Sequence, residues 1–157
     1  MAYDRASAPA QSFAGFGARF VLTVLGAGGL IVGAFMNWTA SLAGTDLSIK
    51  ALWRTTFERS DRFIMTVGAA AVVLGLLAII GMTFSTGWLT RLAGALGIVG
   101  VVLFGIQVYR GSGAHSLGSI ESGAWVCLAG SVVSILAGVF GIRSATVGPA
   151  GAPAVER

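Results

Sequence analysis

The 22 residues from Phe63 to Phe84, FIMTVGAAAVVLGLLAIIGMTF, carry no charged side chain. A helix that crosses a bilayer needs about 20 consecutive, mainly apolar residues, and this run supplies them. The other spanning solution is a closed barrel, whose strands alternate apolar and polar residues. This run does not alternate. It predicts a membrane-spanning helix.

Three further segments read the same way. They are FVLTVLGAGGLIVGAFMNW (Phe20 to Trp38), LAGALGIVGVVLFGIQVYR (Leu92 to Arg110) and GAWVCLAGSVVSILAGVFGIR (Gly123 to Arg143). The expected fold is an all-α membrane protein. It is a four-helix transmembrane bundle with spans at 20–38, 63–84, 92–110 and 123–143 and a structured first extramembrane loop at 39–62. The flanks, 1–19 and 144–157, are rich in Ala, Gly and Pro. They cannot bury a core and are expected to be disordered tails. The first apolar run exceeds the core of about 7–15 residues typical of a signal peptide, so it is expected to be retained.

Composition agrees. Of 157 residues, 55% are hydrophobic and 10% charged, against about 25% charged in a soluble domain. Mean hydropathy is +0.87. The net charge of +4 comes from nine arginines and Lys50 against six acids. These cations form no basic stripe, so nucleic acid is not an expected partner. Trp38, Trp88, Tyr109 and Trp125 fall near span ends, where an aromatic belt would lie. Arg19, Arg62, Arg91, Arg110 and Arg143 flank the spans, where a guanidinium can reach water.

With both termini inside, the inner segments hold Arg5, Arg19, Arg91, Arg143 and Arg157, and the outer ones Lys50, Arg54, Arg59, Arg62 and Arg110. The positive-inside count is a tie at five each. Both termini are expected to be cytoplasmic because the longer, folded loop then lies outside. The expected location is a bacterial plasma membrane, since the Arg, Ala, Gly and Val bias suggests a GC-rich genome.

Helices in lipid associate through small residues that allow close approach. Gly29 and Gly33 form such a pair, as do Ala71 and Gly75, and Ala93 and Gly97. In the fourth span Gly130, Ser134 and Gly138 recur every four residues, beside a parallel row of Gly123, Cys127 and Ser131. Residues four apart share a helix face. Gly29, Gly33, Gly130, Ser134 and Gly138 are therefore the candidate interface, either between helices of this chain or toward a partner.

Pumps and proton-coupled carriers keep ionisable groups within their spans. Here the central parts of all four spans have none, and Gln107 is the most polar side chain in a span. Glu121 precedes the fourth helix, where a carboxylate meets the favourable end of the dipole. His115 is the only histidine and lies in a Gly/Ser loop, so a metal site lacks ligands. Cys127 is the only cysteine and reads as a small packing residue. No nucleophile elbow or phosphate loop is present. No catalytic residue, cofactor or metal is expected, and the chain is not expected to be an enzyme.

In the first loop Ile49, Leu52, Trp53 and Phe57 fall on one helical face, with Lys50, Arg54 and Glu58 opposite. Thr45 or Asp46 could cap the start. Leu47, Ile49, Ala51 and Trp53 also alternate, as on a strand. The preferred reading is a short amphipathic helix on the membrane rim, placed ahead of a strand hairpin. Trp38, Trp53 and Phe57 are then interfacial anchors.

Trp38, the ALW of Ala51 to Trp53, Arg62 before the second span, and Glu121 with Gly123 before the fourth together resemble the claudin-like four-span proteins. That resemblance implies the four-span topology and an ordered outer first loop. The family's paired loop cysteines are absent, and Ala51 stands in place of its signature glycine. The chain is at least as similar to small four-span proteins of GC-rich bacteria, for which resemblance implies location and topology but no activity. The functional expectation is a non-enzymatic accessory or structural component. It would bind another envelope protein, or itself, through its small-residue faces and first loop. The alternative is a subunit of a homo-oligomeric channel or transporter lined by Gln107, Ser131 and Ser134.

Overall fold

A computed structural model describes residues 10–83, 87–111 and 118–143, with side chains described for 17–83, 87–111 and 118–139. The expected C-terminal tail, His115 and residues 1–9 lie outside the described residues. The chain is mostly helical. Helix α1 spans Ala10–Phe35, α2 Val67–Thr83, α3 Trp88–Gly111 and α4 Ser122–Arg143. Three of them (α1, α3 and α4) contain stretches long and apolar enough to cross a membrane, and α2 is a shorter apolar helix of 17 residues.

Each helix packs along its sequence neighbours, and α1 closes the ring against α4. All four seams are antiparallel. Gly26 and Gly29 meet Ser134 and Gly130, Gly33 meets Cys127, and Gly94 and Gly97 meet Ile135 and Ser131. Gly75 meets Ala27 and Ile31, while Gly81 meets Thr90. The N-terminal end of α1 and the C-terminal end of α4 therefore share one end of the bundle.

Helix α1 begins at Ala10, so its N-terminal turns occupy part of the segment expected to be a tail. It ends at Phe35, three residues before the expected limit. The chain then forms a two-stranded antiparallel hairpin, β1 (Asn37–Thr39) and β2 (Leu42–Ala43). The expected amphipathic helix shrinks to a single 3-10 turn at Ile49–Leu52. Neither Thr45 nor Asp46 caps it. Ser48 does, its hydroxyl accepting from the Lys50 N–H at 3.4 Å. The helix does not reach Phe57 because Ser48 instead donates its N–H to the Glu58 carbonyl at 3.0 Å, in a bridge that draws 47 against 59. Tertiary pairing overrides local periodicity here. A second 3-10 turn, Phe63–Met65, leads into α2.

Candidate functional site: the first loop and the small-residue seams

A helix starts with four N–H groups that have no intrahelical partner. At α2 the loop supplies most of them. The Val67 N–H donates to the Leu47 carbonyl at 2.9 Å, and the Gly68 N–H to the Gly44 carbonyl at 2.7 Å. The Ala69 N–H donates to the Thr66 hydroxyl at 3.1 Å, and that hydroxyl donates to the Phe63 carbonyl at 2.6 Å. The loop backbone thus caps the helix that follows it. Close approach requires Gly44 and Gly68: a Cβ on Gly68 would lie 2.6 Å from the Thr45 nitrogen, and one on Gly44 would lie 2.6 Å from the Ala34 carbonyl oxygen.

Trp38 anchors the same loop. It was expected at the interface, yet it is 2% exposed. Its indole packs edge-on against Phe104 of α3, with ring centroids 5.1 Å apart. Its Nε1–H donates to the Gly33 carbonyl at 2.9 Å. Gly33 lies among the last four residues of α1, whose carbonyls lack helical partners, so the indole caps α1 as well as filling the core. The interfacial assignment fails because Trp38 is the inward-facing residue of β1, which aims its indole at Phe104 in the core. Phe57 also turns inward. It is half-buried, with its ring 6.0 Å from Phe104. Of the three expected anchors, Trp53 alone is exposed, at 58%.

Around these rings lie Ala34, Leu47, Ala51, Val67, Val108 and Ala124, all buried. The Trp38 carbonyl accepts from the Glu121 N–H at 3.1 Å, tying the hairpin to the start of α4. The Gln107 amide reaches the Leu52 carbonyl at 3.5 Å from α3. The loop is thereby fixed to all four helices. Its outward side carries Lys50, Trp53, Arg54 and Arg62, all exposed. One ion pair, Arg59 to Asp46 at 3.0 Å, lies on its surface.

The candidate interface residues are turned inward. A Cβ on Gly29 would lie 2.8 Å from the Gly130 Cα, and one on Gly33 2.8 Å from the Cys127 nitrogen. Gly130 and Ser134 face α1, whereas Gly138 faces Arg91 of α3. The row thus divides between two neighbours, because α4 occupies a corner of the ring and touches both. Gly26, which the sequence reading passed over, belongs to the same seam and meets Ser134. Its spacing of three and seven from Gly29 and Gly33 was the available signal.

The polar groups expected to line a pore are also internal. Ser131 is fully buried and donates to the Cys127 carbonyl at 2.7 Å. Ser134 is fully buried with no hydrogen-bond partner for its hydroxyl, and Gln107 is buried under the loop. A pore formed between copies would need them on an outer face. Among the described residues no Asp, Glu, Lys, Arg or His is buried as a whole residue, although the Arg91 Nε is enclosed without a hydrogen-bond partner, and no three His, Cys, Asp or Glu cluster as metal ligands would. Trp88, Tyr109 and Trp125 point outward, each about half exposed or more.

No known protein family, no curated protein and no solved structure matches the chain.

Proposed function

We propose that this chain is a four-span integral membrane protein of a bacterial plasma membrane, with both termini cytoplasmic. In this reading it acts as a non-enzymatic accessory component that presents its first loop to another envelope protein. Three helices carry the membrane part directly. For α2 the support is geometric. Seventeen residues at 1.5 Å each give about 25 Å, short of a hydrocarbon core of about 30 Å. The preceding 3-10 turn adds roughly 6 Å. Its residues Phe63, Ile64 and Met65 are large, apolar and exposed, Ile64 at 83%. Such a face is costly in water and fits the bilayer boundary.

One observation supports the accessory role above the rest: a connection from 36 to 66 that only joined two helices would not bury Trp38, Leu47 and Ala51 and cap two helix ends. The loop is held rigid while its outer side stays free. The small-residue faces are occupied by the chain's own helices, so the proposed contact is Lys50, Trp53 and Arg54.

The test is purification of the tagged chain in mild detergent, with mass spectrometry of co-purifying proteins, for the wild type and for Trp53→Ala/Arg54→Ala. A stoichiometric partner lost from the double variant supports the reading. A partner retained by that variant, or a wild-type chain that purifies alone, sinks it. Ion flux through liposomes holding the pure protein would move the assignment to the channel alternative.

A further inference from the structure

Helices α3 and α4 touch closely at Gly94 and Gly97 against Ser131. Toward the loop end they part. A Cβ on Gly105, two turns further along α3, would meet only the Ile120 Cδ1, at 3.8 Å. The gap is an open groove of about 380 Å³ on the outside of the bundle. Gly105 and Ala124 form its floor, and Ile106, Tyr109, Trp125 and Leu128 its walls. Its lining is almost wholly apolar.

We infer that this groove is a binding site for one acyl chain of a zwitterionic aminophospholipid, with the headgroup held at its mouth. This rests on the membrane-spanning reading. Three features select the occupant. The first is width. A docking helix is about 10 Å across and needs small residues along its rim, whereas this rim is bulky and only the floor is small. A slender chain fits. The second is depth. Tyr109 and Trp125 are exposed at the loop end of the groove, the level of an aromatic belt.

The third feature is charge. Arg110 stands one turn beyond Ile106 in the last turn of α3, and residues four apart on a helix share a face. Glu121 directly precedes α4 and follows Ile120, which lines the groove. Arg110 and Glu121 are both exposed, and they form no ion pair with one another. A cation and an anion at one mouth complement a phosphate and an ammonium carried by the same headgroup. An anionic headgroup without the amine would satisfy Arg110 and repel Glu121.

The experiment is native mass spectrometry of the full chain released from nanodiscs containing equal phosphatidylethanolamine and phosphatidylglycerol. The expected result is one retained phosphatidylethanolamine per chain. Gly105→Leu, which fills the floor where a Cβ meets only the Ile120 Cδ1 at ordinary contact distance, should lose that adduct while its circular dichroism and melting stay those of the wild type. Glu121→Gln should shift the retained lipid toward phosphatidylglycerol, and this shift decides the matter if the Gly105 variant fails to fold. Equal retention of both lipids, an adduct that survives in folded Gly105→Leu, or a second copy of the chain in place of lipid would overturn the assignment. Alkaline carbonate extraction of the same membranes separates the failures. A chain that stays with the membrane but holds no lipid refutes the groove alone, and a chain washed free refutes the spanning reading as well.

Discussion

Gly28 and Gly29 are neighbours in α1, but they face different surroundings. A Cβ at Gly28 meets nothing within 4 Å, while one at Gly29 comes 2.8 Å from the Gly130 Cα and 3.3 Å from its nitrogen. Non-bonded carbons rest at about 3.5–4.0 Å, so a methyl at Gly29 must push α4 back by about 1 Å. Both atoms it meets are backbone, and no rotamer change relieves the clash. Over-packing of this kind costs about 1–3 kcal/mol. Replacing a helical glycine with alanine returns up to about 1 kcal/mol from backbone entropy, and it does so at both positions. Gly28→Ala should therefore be neutral or stabilising, and Gly29→Ala destabilising by as much as ~2 kcal/mol. The difference between the variants isolates the seam, because the propensity term cancels. The assay is reversible unfolding from mild detergent into dodecyl sulfate, followed by helical circular dichroism. Equal midpoints for the two variants, or a larger loss at Gly28, would refute the packing of α1 on α4.

Other outcomes follow from the loop. Trp38→Ala should cost about 3–5 kcal/mol in the same assay. Trp38→Phe keeps most of the ring contact but orphans the Gly33 carbonyl, so it should cost about 1–3 kcal/mol; a neutral Trp38→Phe would show that the indole is no cap. Thr66→Ala removes the hydroxyl that accepts the Ala69 N–H and should lower stability by about 1 kcal/mol, whereas Thr56→Ala, on an exposed site, should not. Cys127 is 1% exposed, so a maleimide should label it only after denaturation, and prompt labelling of the native chain would place it elsewhere. Asp46→Asn breaks an ion pair whose side chains are 70% and 39% exposed; its effect should stay below about 1 kcal/mol.

The helices were legible because their signal is local. Leu92 to Arg110 reads as helix whatever surrounds it, and so does the run from Phe63, although there the first residues form a 3-10 turn and the α-helix itself is Val67–Thr83. The small residues were legible as contact points, but not as contacts with a given neighbour. Gly130 and Gly138 share a periodic row, yet they face different helices, and only the arrangement of the ring decides that. The loop was least legible. Trp38 has the composition and position of an interface residue, and its burial depends on Phe104, 66 positions away. The periodicity of Ile49, Leu52, Trp53 and Phe57 was real as a pattern, but the 47–59 pairing and the Phe57–Phe104 contact use those residues in another geometry. The buried residues at the start of that stretch are Leu47 and Ala51, which the amphipathic pattern did not select.

The way the loop is held bears on what it can do. Its backbone carbonyls at Gly44 and Leu47 are spent on α2, its Trp38 indole on α1, its Trp38 carbonyl on the lead into α4 and its Leu52 carbonyl on α3. None of these bonds involves an outward side chain, so Lys50, Trp53 and Arg54 can be changed without loosening the frame. A partner that binds them meets a surface already ordered by the bundle. Ordering a side-chain-rich segment on binding costs about 0.5–1.5 kcal/mol per immobilised residue, and here folding has met the backbone share of that cost. The same wiring runs in reverse. A ligand that favours one arrangement of the loop also favours one arrangement of the α1 and α2 ends beneath it, since the same hydrogen bonds join them. Substitutions at Trp53 should then alter partner binding with stability unchanged, while substitutions at Trp38 should alter both together.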